Sequence, residues 1–146
     1  MSQISSILRP AALLATAILW QAASSAASVE YNRDIRPIFA ENCFTCHGPD
    51  SAARKADLRL DSFETATAVT DGKAAIVPGK PEASELIRRI TATDPDDLMP
   101  PPKIKKFLEP REIELLKQWV AAGAEYEAHW SFNAPHRAEP PAVTNE

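Results

Sequence analysis

Only two cysteines occur in the chain, Cys43 and Cys46, and they stand three positions apart. So few thiols exclude a structural zinc site, which takes four ligands rich in thiolate. Basic residues are not in excess either. Sixteen Lys and Arg face 20 Asp and Glu, for a net charge of −4 with histidines neutral, whereas a nucleic-acid binder carries a clustered basic footprint. No apolar run approaches the roughly 20 residues of a membrane-spanning helix. No strand-helix-strand pattern surrounds the cysteine pair, so a thioredoxin-like redox motif lacks its setting. A disulfide between residues this close would shut a very small loop and stabilise little.

What is present is Cys43-Phe44-Thr45-Cys46-His47. Two thiols three apart with a histidine directly after the second form the attachment signature of a c-type haem. On a helical turn both sulfurs face one way and reach two vinyl groups of one porphyrin as thioethers, while His47 points its imidazole at the iron. The other ring nitrogen is expected to donate to a backbone carbonyl, fixing the tautomer and raising ligand basicity. A carbonyl near Pro78 is the candidate acceptor. The motif occurs once, so one covalently bound haem c is expected.

The opposite face of the iron needs a second ligand. Apart from Met1, Met99 is the only methionine. Methionine commonly fills cores, but Met99 lies in a proline-stiffened loop beside Asp96 and Asp97, off any helix stripe, and is the expected distal iron ligand. His129 and His136 are the alternatives; either would give a bis-histidine haem of lower potential.

The first stretch reads as a leader. Arg9 is the only charged side chain before Glu30, the apolar run 11–20 follows, and small residues continue to Ser28. A short positive start, an apolar core and a small-residue cleavage region make residues 1–27 a secretory signal peptide. The expected location is exported, periplasmic or cell-envelope, with membrane attachment only if the leader is uncleaved. Haem is joined to thiols outside the bacterial cytoplasm, where they would otherwise oxidise, so leader and motif agree.

The remaining patterning is helical. Ile35, Ile38 and Phe39 share one helix face, Asp34 is placed to cap the start, and Gly48-Pro49 ends the helix after the motif. Leu58 and Leu60 mark a short extended segment or two core anchors. Ser62–Val69 has the makings of a short helix, and Asp71-Gly72 is a turn. Pro81–Thr91 reads as a helix with Leu86, Ile87 and Ile90 on its stripe. Asp94-Pro95 breaks it, and three prolines at 100–102 hold the next segment extended. Pro110–Ala122 is the clearest helix, with Ile113, Leu116 and Val120 in register and Gly123 past its end; Glu109 is a poor cap residue. Phe39, Phe44, Ile76, Leu86, Ile90, Leu98 and Trp119 are expected to line a haem crevice or form plain core. Lys103, Lys105 and Lys106 form the one basic cluster, placed to steer an acidic redox partner but read more simply as a solvated loop. After Tyr126 the proline-rich end reads as a linker or frayed tail.

With those residues in view, the chain resembles the Planctomycete-type cytochrome c domain. The matching segments are Tyr31–Phe39, Cys43–Asp50, Arg54–Asp61, Ile76–Pro81, Ser84–Ile90, Asp97–Pro102, Leu116–Trp119, Gly123–Tyr126 and His129–Phe132. The resemblance implies an all-α, class I-like monohaem domain wrapped around one haem. Cys43 and Cys46 would be its attachment points, His47 the proximal ligand and, by position, Met99 the distal one. The expected organisation is signal peptide 1–27, cytochrome c domain 28–130 and a proline-rich tail or shortened linker 131–146. In that family the domain usually opens a much longer exported protein, so a stand-alone or truncated version is expected here.

The function expected from all this is one-electron transfer with redox partner proteins, no bond-making reaction and no nucleic acid. The alternatives are the electron-accepting module of a larger exported oxidoreductase, and a haem-based gas sensor.

Overall fold

Ile35, Ile38 and Phe39 are all buried, so the stripe expected on the first helix faces a core. The computed structural model describes residues 28–128 and Ser131. The leader, His129, His136 and nearly all of the proline-rich tail lie outside the described residues. The described part is mostly helical with one two-stranded sheet. No helix within it is long and apolar enough to cross a membrane.

The chain enters through a wide helical turn, Tyr31–Ile35, and continues as α1, Arg36–Asn42. Pro37 is the second residue of α1, where a missing N–H costs nothing. Asp34 is not the N-cap expected of it: the cap residue is Glu30, and Asp34 lies inside the turn, where its carboxylate accepts from Glu30 N–H at 2.9 Å. Glu127 supplies the rest from the far end of the domain, accepting from Tyr31 N–H at 3.0 Å and Asn32 N–H at 3.3 Å. An acidic group at a helix N-terminus satisfies orphan donors and meets the positive end of the dipole.

The helix kinks at Cys43 before α2, Phe44–His47. Hydrogen bonding nevertheless runs through the kink, with Cys43 N–H donating to Phe39 O at 2.8 Å and His47 N–H to Cys43 O at 2.8 Å. A short α3, Phe63–Thr67, precedes a hairpin pairing β1, Val69–Thr70, with antiparallel β2, Lys73–Ala74. Its two turn residues, Asp71 and Gly72, have φ of 51° and 75°, the left-handed pair that matches strand twist. Leu58 and Leu60 join no sheet among the described residues; they are anchors.

The helix expected over 81–91 is interrupted. A tight turn at Pro81–Ala83 is followed by Ser84 in extended conformation, then α4, Glu85–Ile90. Ser84 is buried and spends its hydroxyl on the preceding turn, accepting from Val77 N–H and donating to Lys80 O, both at 2.9 Å. The proline segment is extended at Pro101 but tightens into a helical turn over Pro102–Ile104, and the Met99–Pro100 peptide bond is cis.

The last helix, α5, spans Pro110–Ala121. The weakness expected at Glu109 is offset by Glu112, whose carboxylate reaches back to Glu109 N–H at 2.7 Å, one half of a capping box. Gly123, at φ 114°, takes the left-handed position just past the end. α5 packs against the entry turn and α4. Leu116, Trp119 and Val120 of α5 are fully buried, as are Ile35, Phe39 and Ile76 in the same core.

Candidate haem site

Segments from both sides of the hairpin converge on one cleft of about 250 Å³. Cys43, Cys46 and His47 reach it from the kink and α2, and Met99 from the loop after α4. Leu58 and Leu60 contribute one apolar wall and Leu86 and Ile90 another, while Pro100, Pro101 and Ile104 add a third. A larger cleft of about 390 Å³ beside the hairpin includes Lys73, Glu82 and Arg88 but no thiol, imidazole or thioether. Chemistry, not size, selects the first.

Local hydrogen bonding explains why α2 holds its place. The carbonyls at its end have no helical partner. Lys55 N–H donates to Cys46 O and Leu60 N–H to His47 O, each at 2.8 Å, so the loop after the motif folds back over it. That return also brings Leu58 and Leu60 to the cleft. Gly48 is required at the crossing: a Cβ there would lie 2.4 Å from Phe44 O.

The electrostatics favour a ligand over a redox pair. Burial pushes the Cys43 thiol up to about 12, with a smaller contribution from Glu112. A reactive dithiol needs the reverse, a pKa lowered toward neutrality. Burial lowers the His47 pKa, opposed by backbone acceptors at Lys55 and Leu58. The imidazole is therefore neutral at pH 7, the form that binds a metal. Its Nδ1 is buried with no hydrogen-bond partner among the described residues.

The acceptor expected near Pro78 is not found: His47 Nδ1 has no hydrogen-bond partner among the described residues. The 77–80 turn is committed elsewhere, with Gly79 N–H donating to Val120 O at 2.8 Å. The crevice residues also divide. Leu86 and Ile90 line the cleft, whereas Phe39, Ile76 and Trp119 are core. Phe39 joins Phe44 to Trp119 at ring separations of 5.9 and 5.7 Å, an aromatic contact set that packs the motif against α5. Of the basic cluster, Lys106 is paired with Glu41 at 3.4 Å.

Residues 43–103 match the family model described as Planctomycete cytochrome C. That segment is a Planctomycete-type cytochrome c domain. The match runs from the first cysteine through α4 to just beyond the prolines, taking in His47 and Met99. No curated protein and no solved structure matches the chain. A cytochrome c domain implies bound haem and electron transfer.

Two charged cleft residues escaped the sequence reading. Glu85 and Arg89 also line the wall, joined at 3.0 Å. Arg88 first, and Arg89 after it, pull the Glu85 carboxyl down to about 2. The available signal was a Glu-to-Arg pair four apart, interleaved with the apolar stripe of Leu86 and Ile90.

Proposed function

We propose that the chain is an exported monohaem c-type cytochrome that carries single electrons between partner proteins. The observation that carries this reading is the gathering of both motif thiols, His47 and Met99 around one apolar cleft. The residues suit a haem on their own chemistry: a neutral imidazole with a buried, unpartnered Nδ1, a thioether, two thiols and aliphatic walls.

When bound, haem c supplies a reversible one-electron change at iron. Cys43 and Cys46 would anchor it, His47 would be the proximal ligand and Met99 the distal one. The aliphatic walls would keep water from the bound group, and the return loop over α2 holds the segment that carries the imidazole. Export rests on the leader read in residues 1–27 and on the extracytoplasmic chemistry of haem attachment.

The test is to express the chain with haem-maturation machinery. Intact mass should show the leader removed and one haem added, and the haem should survive denaturation. The ferric protein should show the weak methionine-to-iron band, and Met99→Ala should abolish it. Absence of an added haem would overturn the reading. An unchanged band in Met99→Ala would shift the distal role to a histidine. Rapid, tight CO binding by the ferrous protein would select the gas-sensor alternative.

A further inference from the structure

Arg89 touches the Met99 loop through both its backbone and its side chain. Its backbone carbonyl accepts from Met99 N–H at 3.1 Å, and its guanidinium meets the Asp97 carboxylate at 3.1 Å. Arg88, its neighbour on α4, holds the other Asp97 oxygen at 2.9 Å. Both arginines are aligned from behind by Glu85, through Arg88 Nε at 2.8 Å and Arg89 Nε at 3.0 Å. The loop itself is braced at Asp94, whose carbonyl accepts from Leu98 N–H at 2.9 Å and whose carboxylate accepts from Asp96 N–H at 3.0 Å.

The Glu85–Arg88 and Glu85–Arg89 pairs lie within one helix and stabilise it only slightly. The Asp97 contacts differ in kind. They join a cleft-lining helix to a loop two residues before the thioether, so they bear on where Met99 sits. Asp97 is 45% exposed and offers one carboxylate oxygen to each arginine.

We propose that Arg88 and Arg89 are positioning residues that grip Asp97 and thereby hold Met99 at the cleft wall. This deepens the reading of Met99 as distal ligand and rests on it. A thioether is a neutral, weakly held ligand, so its occupancy at iron is set by how firmly its loop is kept in place. Modest surface ion pairs therefore become consequential: freeing the loop raises the fraction of time the sixth position is open, and an added ligand binds more tightly in proportion.

The experiment uses the matured haem protein and two readouts. In Asp97→Ala, ferric imidazole should bind about three- to tenfold more tightly, the shift expected from losing one or two partly exposed ion pairs. The methionine-to-iron band should weaken in step. Asp97→Asn should fall between, and Arg88→Lys should restore more than Arg88→Ala. Wild-type imidazole affinity should rise with added salt, because the grip is screened, while that of Asp97→Ala should not. Arg33→Ala, which removes two ion pairs at the entry turn, should change nothing.

The second readout is hydrogen exchange at the Met99 amide, which reports loop docking whatever binds the iron. It should quicken by a similar factor in Asp97→Ala while α5 amides keep their rates. Unchanged exchange and unchanged imidazole affinity overturn the proposal. Faster exchange in a protein whose wild type lacks the methionine band sustains the grip and refutes the distal-ligand reading alone.

Discussion

Tyr126 donates its hydroxyl to the carbonyl of Leu60 at 3.1 Å, across 66 residues of chain. Leu60 N–H in turn donates to His47 O, so one residue ties the haem motif to the segment after α5. Tyr126→Phe keeps the ring contacts with Trp119 and Tyr31, at 5.1 and 4.6 Å, and removes only the hydroxyl. It leaves the Leu60 carbonyl in a buried residue without that partner. The expected cost is about 1–3 kcal/mol, read from urea unfolding with unchanged slope. A loss of less than about 0.5 kcal/mol would mean water takes over the carbonyl.

The chain has two tyrosines, and both belong to this cluster. Burial pushes Tyr31 from 10.0 up to about 12, and pushes Tyr126 further in the same direction. A phenol that is harder to ionise folded than unfolded leaves stability untouched below pH 10. Its contribution is then lost as pH rises from there through about 12, because the unfolded chain gives up the proton first. An alkaline titration should show almost no tyrosinate absorbance until about pH 11, then one step coinciding with loss of helical circular dichroism. A gradual rise centred near 10 with the helices intact would contradict the buried cluster.

Local signals were legible and long-range ones were not. The α5 helix was readable because Ile113, Leu116 and Val120 repeat at helical spacing and Gly123 takes the left-handed exit. The motif was readable because its chemistry sits in five consecutive residues. The carboxylates that serve the entry helix were only half visible. Asp34 is local, but Glu127 is 96 positions away from Tyr31, and no pattern in a single sequence joins them. The same holds for Arg88 and Asp97, which read separately as a helix surface and a polar loop. The return of residues 55–60 over α2 was hidden too, because backbone hydrogen bonds leave no mark on residue type. The hairpin was legible only as its turn, since two-residue strands are too short to show alternation.

Ser84 shows how one side chain overrides a helical pattern. Residues 81–90 carry helix-forming chemistry, yet the hydroxyl of Ser84 bridges Val77 N–H and Lys80 O and the backbone extends at that residue. Serine competes for backbone groups in this way wherever a turn is offered. Ser84 is 1% exposed, so Ser84→Ala leaves the half-buried Val77 N–H without its partner, at a cost of about 1–3 kcal/mol. Thermal unfolding should report it, and amide exchange at Val77 should quicken more than at Leu116. Equal exchange at both sites would mean that the turn does not depend on the hydroxyl.

Gly48 is the residue at which fold and haem motif are most tightly coupled. Its φ of −109° is open to any amino acid, so the constraint is space. An added Cβ would lie 2.4 Å from the Phe44 carbonyl oxygen and 3.1 Å from its carbon, and backbone cannot step aside as a flexible side chain can. Gly48→Ala must therefore shift α2 against the loop that returns over it, disturbing the Leu60 to His47 hydrogen bond. Overpacking of this kind costs about 1–3 kcal/mol. The shift also moves Cys46 and His47 relative to Cys43, so the yield of covalently loaded protein should drop alongside stability. Ala52→Ser, on the exposed loop, is the control and should leave both unchanged. Full loading and wild-type stability in Gly48→Ala would show that the crossing has slack this packing does not allow.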